Sequence, residues 1–303
     1  MLFSEKYGYR EIQKIKPECV SSTLRARIWN LFYQYDIIGG GLASERLSAS
    51  LYGKPTIENK IADRLGFILH SSLKGDSVSD LIREYLLTEA PYPEHICSEW
   101  YEVYDFIEIH LSMLEGDKQY ERIKQYNTLL EEERAAYRII GHCVVPITDK
   151  VEIAEIEQAL SSNYDPVSIH IQKALELYSD IKTPDYENSI KESICAVESV
   201  CCIITDESGT QATLGKTLKK LADNGVHIHK AMESAFSSLY GYTSDEHGIR
   251  HGSIDFTNAP SEDAKFMLVA CAAFVNYLLE KWIRISNQNS DGTNKEISNT
   301  EKE

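Results

Sequence analysis

Two histidines, an arginine and an Asp-Glu pair lie among three glycines in GYTSDEHGIRHG, residues 241–252. These side chains admit three kinds of chemistry. His247 and His251, four apart, would share a helix face and offer two imidazoles to a zinc ion, with His227 and His229 nearby in sequence. Gly248 interrupts that helix and no third ligand is evident, so solvated loop histidines are the commoner outcome and neither a metal nor a cofactor is expected. Arg250 and His251 would instead act on a phosphodiester. One imidazole takes the proton of a ribose 2′-hydroxyl, a second protonates the leaving oxygen, and the guanidinium stabilises charge building on phosphorus. The third reading is structural: Asp245 or Glu246 pairs with Arg250 in a loop ahead of a helix. Composition alone ranks that last reading first.

Two glycine-bearing stretches do not make phosphate loops. GTQATLGKT at 209–217 has five residues between its glycines where the nucleotide-binding loop has four, and a helical pattern precedes it where that loop needs a strand. It reads as a loop entering an amphipathic helix with Leu214, Leu218 and Leu221 inward. The three glycines at 39–41 have neither a strand before them nor a Lys-Ser/Thr after them, and read as an inter-helix loop.

The elements that must position these residues are mostly helical. Ile96, Trp100, Val103, Tyr104, Ile107, Leu111 and Leu114 fall on one stripe at helical spacing, Leu24, Ile28, Leu31, Phe32 and Tyr35 on another, and Ile57, Ile61, Leu65 and Ile68 on a third. The pattern breaks at AYRIIGHCVVPITD, where two β-branched runs flank Gly141-His142 and predict a small hairpin or extended linker. Thr148 or Asp149 then caps a helix through Leu160, and Asp165-Pro166 opens the next. Helices are expected at about 166–180, 185–205, 212–223 and 229–240, and a last one runs from Asn258-Ala-Pro-Ser to about Ser286. Ile190, Ile194, Val197, Cys201 and Ile204 mark the buried face of the second of these. The tail SNQNSDGTNKEISNTEKE has almost no apolar residue and predicts disorder.

A chain of 303 residues exceeds what one core usually serves, so two domains are expected. The formal charge is −16, with 17 basic and 22 acidic residues in 1–145 and 11 and 16 in 166–290. That balance excludes a broad duplex-binding face and leaves room for a small local site or a single strand in a narrow cleft. Cysteines 19, 97, 143, 195, 201, 202 and 271 form no C-x-x-C pair and no even framework. Without a charged-then-apolar leader they read as reduced, mostly buried thiols of a cytoplasmic protein. FMLVACAAFV at 266–275 is too short to span a bilayer and reads as part of a core helix.

NSIKESICAVESVC at 188–201, LGKTLKKL at 214–221, AFSSLYGYTSDEHGIRHG at 235–252 and AKFMLVACAAFVNYLL at 264–279 resemble the HEPN-like domain that ends bacterial abortive infection proteins. MLFSEKYGY at the start, LRARIWNLF at 24–32 and VVPITDKVEIAEIEQAL at 144–160 resemble the N-terminal domain of AbiJ-type proteins. The resemblance implies a mainly all-α chain divided as an N-terminal helical domain (1–143), a linker with a connecting helix (144–165), a HEPN-like bundle (166–287) and a disordered tail (288–303). It also implies a homodimer through that bundle, and an antiphage, toxin-like ribonuclease that cuts RNA, tRNA among the candidates, without a metal. A phage-derived trigger or an antitoxin-like partner is expected beside it. The family signature is an arginine with a histidine four to six residues on. Here HGSIDFTN follows Arg250, so the histidine is adjacent, about 100° around a regular helix. Either a turn at Gly248 or Gly252 brings Arg250 and His251 together, or His247 supplies the imidazole, or the activity is lost. Asp245 or Glu246 would orient one imidazole. Members of the wider family pair the arginine with acids of the second helix, where Glu192 and Glu198 lie. Glu198 is carried as a supporting candidate beside its reading as an exposed charge. The alternative function is a non-catalytic module that binds a nucleotide, a nucleic-acid end or a partner protein.

Overall fold

A computed structural model describes residues 17–38, 57–65, 78–89, 97–180, 183–207, 214–244 and 259–300, with the side chains of 58–59, 243–244 and 288–300 excepted. The chain is mainly α-helical and divides into two compact units, Met1–Thr148 and Asp149–Glu303.

In the first unit, α1 (Ser22–Phe32), α2 (Ile57–Arg64), α3 (Val78–Leu87), α4 (Trp100–Leu111) and α5 (Gly116–Glu132) surround one core. Ser21 caps α1 by accepting the Leu24 N–H at 3.0 Å. Leu24, Ile28 and Phe32 point inward as the periodicity predicts. Tyr35 does not: it is 41 % exposed, and Asp36 and Ile37 are buried in its place. The cause is a π-helical turn at Tyr33–Ile38, whose wider winding shifts the inward face by about one residue. Arg25, 1 % exposed, sits beneath the C-terminal end of α3. Its Nη1 donates to the Leu86 carbonyl at 3.2 Å and to Ser98 Oγ at 2.7 Å, and Nη2 donates to the Ser98 carbonyl at 3.1 Å. Ser98 Oγ donates to the Tyr85 carbonyl at 2.7 Å, so one arginine and one serine satisfy carbonyls that a helix end leaves open.

The predicted hairpin is present as β1 (Arg138–Ile140) and β2 (Cys143–Val145), antiparallel, with Ile139 opposite Val144. Gly141 opens its two-residue turn at φ +59, which an L side chain resists. In an antiparallel ribbon closed this way the Ile139–Val144 pair turns its N–H and C=O groups outward. Asn127 of α5 closes one edge, accepting the Ile139 N–H at 2.8 Å and donating to its carbonyl at 2.7 Å. Glu108 of α4 accepts the Val144 N–H at 2.7 Å on the other edge. Burial pushes the Glu108 carboxyl up, and that same hydrogen bond partly offsets the rise.

The second unit contains α6 (Lys150–Leu160), α7 (Asp165–Ser179), α8 (Tyr186–Thr205), α9 (Leu214–Lys220) continued by a 3-10 turn (Leu221–Asn224), α10 (Lys230–Ser244) and α11 (Ser261–Thr300). Asp149 caps α6 by accepting the Val151 and Glu152 N–H groups. Helix α8 is central: Ile190, Ile194, Val197, Cys201 and Ile204 are all buried, packed between α7 and α11. The expected inward set of α9, Leu214, Leu218 and Leu221, is buried too. Helix α6 packs into this unit, where Asn276 of α11 donates to both the Glu155 carbonyl and its carboxylate at 2.9 and 2.8 Å. Helix α11 runs from Ser261 to Thr300, past the expected end near Ser286. Ser261–Asn287 is long and apolar enough to cross a bilayer by composition, but half of its most apolar window is buried, as in a core helix. Of the seven cysteines, Cys143, Cys201 and Cys271 are buried and Cys19 is exposed, so fewer are buried than expected. Burial pushes the Cys201 and Cys271 thiols up to about 12, which leaves them poor nucleophiles.

Candidate functional site

Asp245, Glu246, His247, Arg250 and His251 lie outside the described residues; the helices on either side of them do not. Helices α10 and α11 run antiparallel. Near the end of α10 the Tyr242 hydroxyl donates to Asp263 Oδ2 in the first turn of α11 at 2.7 Å, across 21 positions of sequence. Midway, the rings of Phe236 and Phe274 stack with centroids 3.3 Å apart. At the far end Lys281 donates to the His227 carbonyl at 2.9 Å. Residues 245–258 therefore join two helix ends already held together by a hydrogen bond. Partial burial, and then the bond to Asp263, raise the Tyr242 hydroxyl to about 12, so it stays protonated and keeps donating. Glu187 of α8 adds its negative field there.

Helices α7 and α8 form a second antiparallel pair. Tyr178 meets Tyr186 at 6.0 Å, Ser189 Oγ donates to the Ala174 carbonyl at 2.7 Å, and His170 Nδ1 lies 2.6 Å from Glu192 Oε2. Glu192, one of the two acids singled out on this helix, is therefore engaged by a histidine that its sequence did not mark. Glu198 is half-buried two turns further on, where its charge raises the thiols of Cys201 and Cys202 behind the larger effect of burial. Lys191 donates to Asn188 at 3.3 Å.

The remaining histidines of the metal reading are exposed. His229 Nδ1 accepts the Ala231 N–H at 3.2 Å at the start of α10, and His227 contributes its carbonyl to Lys281. Among the described residues no group of three or more His, Cys, Asp or Glu side chains converges as a metal site.

The first unit holds a polar cluster that the periodicity does not reveal. Asp36, carried inward by the π-helical turn, accepts from Arg122 Nη2 of α5 at 3.2 Å, and its Oδ2 lies 3.2 Å from His110 Nε2 of α4. His110 Nδ1 is 2.8 Å from the Tyr126 hydroxyl. The carboxylate beside Nε2 favours the tautomer protonated there, which leaves Nδ1 to accept from Tyr126. Tyr35 lies over the guanidinium, 4.8 Å from ring centre to Cζ. Burial lowers the His110 imidazole and outweighs the opposing pull of Asp36. Arg122 keeps Nε and Nη1 buried with no hydrogen-bond partner. The signal in the sequence was a histidine on the apolar face of α4, three residues after Ile107. Such a residue is most often a core histidine held among polar neighbours, which is the role His110 plays between Asp36 and Tyr126.

No curated protein and no solved structure matches the chain. Two families do. The HEPN-like domain matches residues 167–282, which include most of α7, all of α8 to α10 and most of the apolar part of α11, with Arg250 and His251 inside the match. AbiJ N-terminal domain 4 matches residues 1–162, a little over half of the chain. Both domains point to abortive-infection defence. With more than half its length in the first match and most of the rest in the second, the chain belongs to the AbiJ family, an AbiJ N-terminal domain followed by a HEPN-like domain.

Proposed function

We propose that this protein is a cytoplasmic ribonuclease of abortive infection, in which the HEPN-like domain cleaves RNA without a metal and the N-terminal domain restrains it or senses the trigger. Arg250 stabilises the phosphorane and His251 acts as general acid or base, with His247 as the second imidazole and Asp245 or Glu246 orienting one of them. The 2′-hydroxyl of the substrate attacks its own phosphorus, so the products are a 2′,3′-cyclic phosphate and a 5′-hydroxyl. Glu198 of α8 is the acid carried in a supporting role toward the arginine. The observation that carries this reading is the position of the Arg-His pair, inside the HEPN-like match and between two helix ends joined by the Tyr242–Asp263 bond. The homodimer part of the reading is supported by α10. None of its side chains described from Lys230 to Tyr242 is buried, although Met232, Phe236 and Leu239 are among them.

The second reading is a non-catalytic module that binds a nucleotide, a nucleic-acid end, an antitoxin-like partner or another protein. The adjacency of Arg250 and His251 and the acidic balance favour it. Incubation of the full chain with total RNA and tRNA, with and without chelator, separates the two. Chelator-resistant cleavage that yields cyclic-phosphate ends and is lost in both Arg250→Ala and His251→Ala supports the nuclease. Absence of cleavage from protein activated in phage-infected cells refutes it.

A further inference from the structure

After residue 148 the chain has 25 Asp and Glu against 14 Lys and Arg, yet six of those 14 fall in two short stretches. Lys216, Lys219, Lys220 and Lys230 lie between Leu214 and Lys230, where Asp223 is the single acid, and Lys281 and Arg284 lie three apart on α11. The fold brings the two stretches together. The Lys281–His227 hydrogen bond joins them, and a Cβ built on Gly225 would stand 3.5 Å from the Ile285 side chain. Lys219, Lys230 and Arg284 are exposed, as are the rings of His227 and His229 beside them. Lys220 pairs with Glu207, and Lys281 lies 5.2 Å from the centre of the Tyr277 ring.

We propose that this surface, formed by α9, the 225–230 connection and the 281–284 turn of α11, docks the phosphate backbone of single-stranded RNA. The ligand is taken from the ribonuclease reading; the location is not. A unit with an excess of 11 acidic charges repels a polyanion over most of its surface, so a basic face within it directs where the strand lands and its orientation. The surface lies at the start of α10, whereas Arg250 and His251 follow its end. Helix α10, fifteen residues and about 22 Å long, lies between this surface and the helix end after which Arg250 and His251 follow in sequence, a length that a strand of several nucleotides bridges. The strand is anchored at the Lys230 end of α10. Lysine stems follow a flexible backbone without reading sequence, and the exposed imidazoles offer faces on which bases stack.

The test uses the full chain with Arg250→Ala, so that RNA is not consumed, and a 5′-labelled single-stranded 12-mer followed by fluorescence anisotropy between about 50 and 200 mM salt. Adding Lys219→Ala, Lys230→Ala and Arg284→Ala together removes three phosphate contacts. The slope of log K against log salt is then expected to become shallower by about 2, equivalent to an affinity that falls about 20-fold less across that range. Lysine-to-arginine exchange at 219 and 230 should retain the full slope. Equal slopes for the triple variant and its parent overturn the proposal, as does loss of binding to an acidic polypeptide with RNA binding unchanged. Cleavage by the Arg250-bearing protein is scored separately. RNA held through this surface but never cut sinks the ribonuclease reading and leaves the docking surface standing. RNA cut with the same kcat/KM in the triple variant does the reverse.

Discussion

Removing the Asp36 carboxylate should be among the most damaging single changes in the first unit. In the native fold that carboxylate faces two nitrogen-bearing groups, Arg122 Nη2 at 3.2 Å and His110 Nε2 at 3.2 Å. Arg122 already lacks partners at Nε and Nη1 and is 8 % exposed. Asp36→Ala leaves a full positive charge buried with no acceptor, and breaking a buried pair from one side costs about 3–5 kcal/mol. For a unit of some 150 residues that lowers the melting temperature by about 10 °C or more. The assay is thermal unfolding followed by tryptophan emission in a Trp282→Phe background, where Trp29 and Trp100, both in the first unit, are the reporters. The double variant Asp36→Leu, Arg122→Met removes both charges and should recover most of the loss, because an apolar pair of similar volume replaces a buried ion pair at little net cost. If Asp36→Ala costs less than about 1 kcal/mol, or if the double variant is no more stable than the single, the buried charge is compensated in some other way and the reasoning fails.

Three further outcomes follow from other contacts. His110 titrates below its ordinary value because it is buried, so the unfolded chain takes up a proton that the native imidazole refuses. Stability of the first unit should therefore fall as pH drops below about 6.5, by up to about 1.4 kcal/mol per pH unit, and His110→Phe should remove that part of the slope in urea titrations while leaving the carboxylate-driven loss at lower pH. Asn127→Ala strips partners from both the N–H and the C=O of Ile139; a loss of about 2 kcal/mol and faster hydrogen exchange at Ile139 are expected, with Asn127→Asp sparing the N–H bond alone. Gly225 sits at φ +81, and a Cβ there would make only ordinary contact with Ile285, so Gly225→Ala should cost about 1–2 kcal/mol for backbone strain alone, with Gly225→Asn costing less in the same unfolding assay.

Helix periodicity was a sound guide where burial follows a regular repeat. The inward stripes of α1, α8 and α9 and the hairpin about Gly141-His142 could all be read from residue spacing, because apolar burial at 3.6 or two residues is a local signal. It failed at Tyr35, since a π-helical turn changes the winding without changing the composition. Arg25 was missed for a different reason: its partners, Leu86 and Ser98, lie 61 and 73 residues away, and nothing in the local sequence announces them. The Asp36–His110–Arg122–Tyr126 cluster comes from three separate elements, so apart from a histidine on the apolar face of α4 no local spacing connects its members. The adjacency of Arg250 and His251 is plain in the sequence, whereas the hydrogen bond that joins the helices on either side of them depends on a tyrosine and an aspartate 21 residues apart.

Helix α6 belongs to the AbiJ N-terminal domain by family and to the second unit by packing. The family boundary, near residue 162, and the packing boundary, near residue 148, are thus different places. If defence genes of this kind diversify by exchanging N-terminal domains at the family boundary, each exchange imports a foreign helix into the resident bundle. That helix must present something like Ile156 and Ala159 to the core and Glu155 to Asn276. Recombinants that break near residue 148 keep the native α6 and face no such demand. Exchange of N-terminal domains at the family boundary is therefore constrained by the eleven residues of α6.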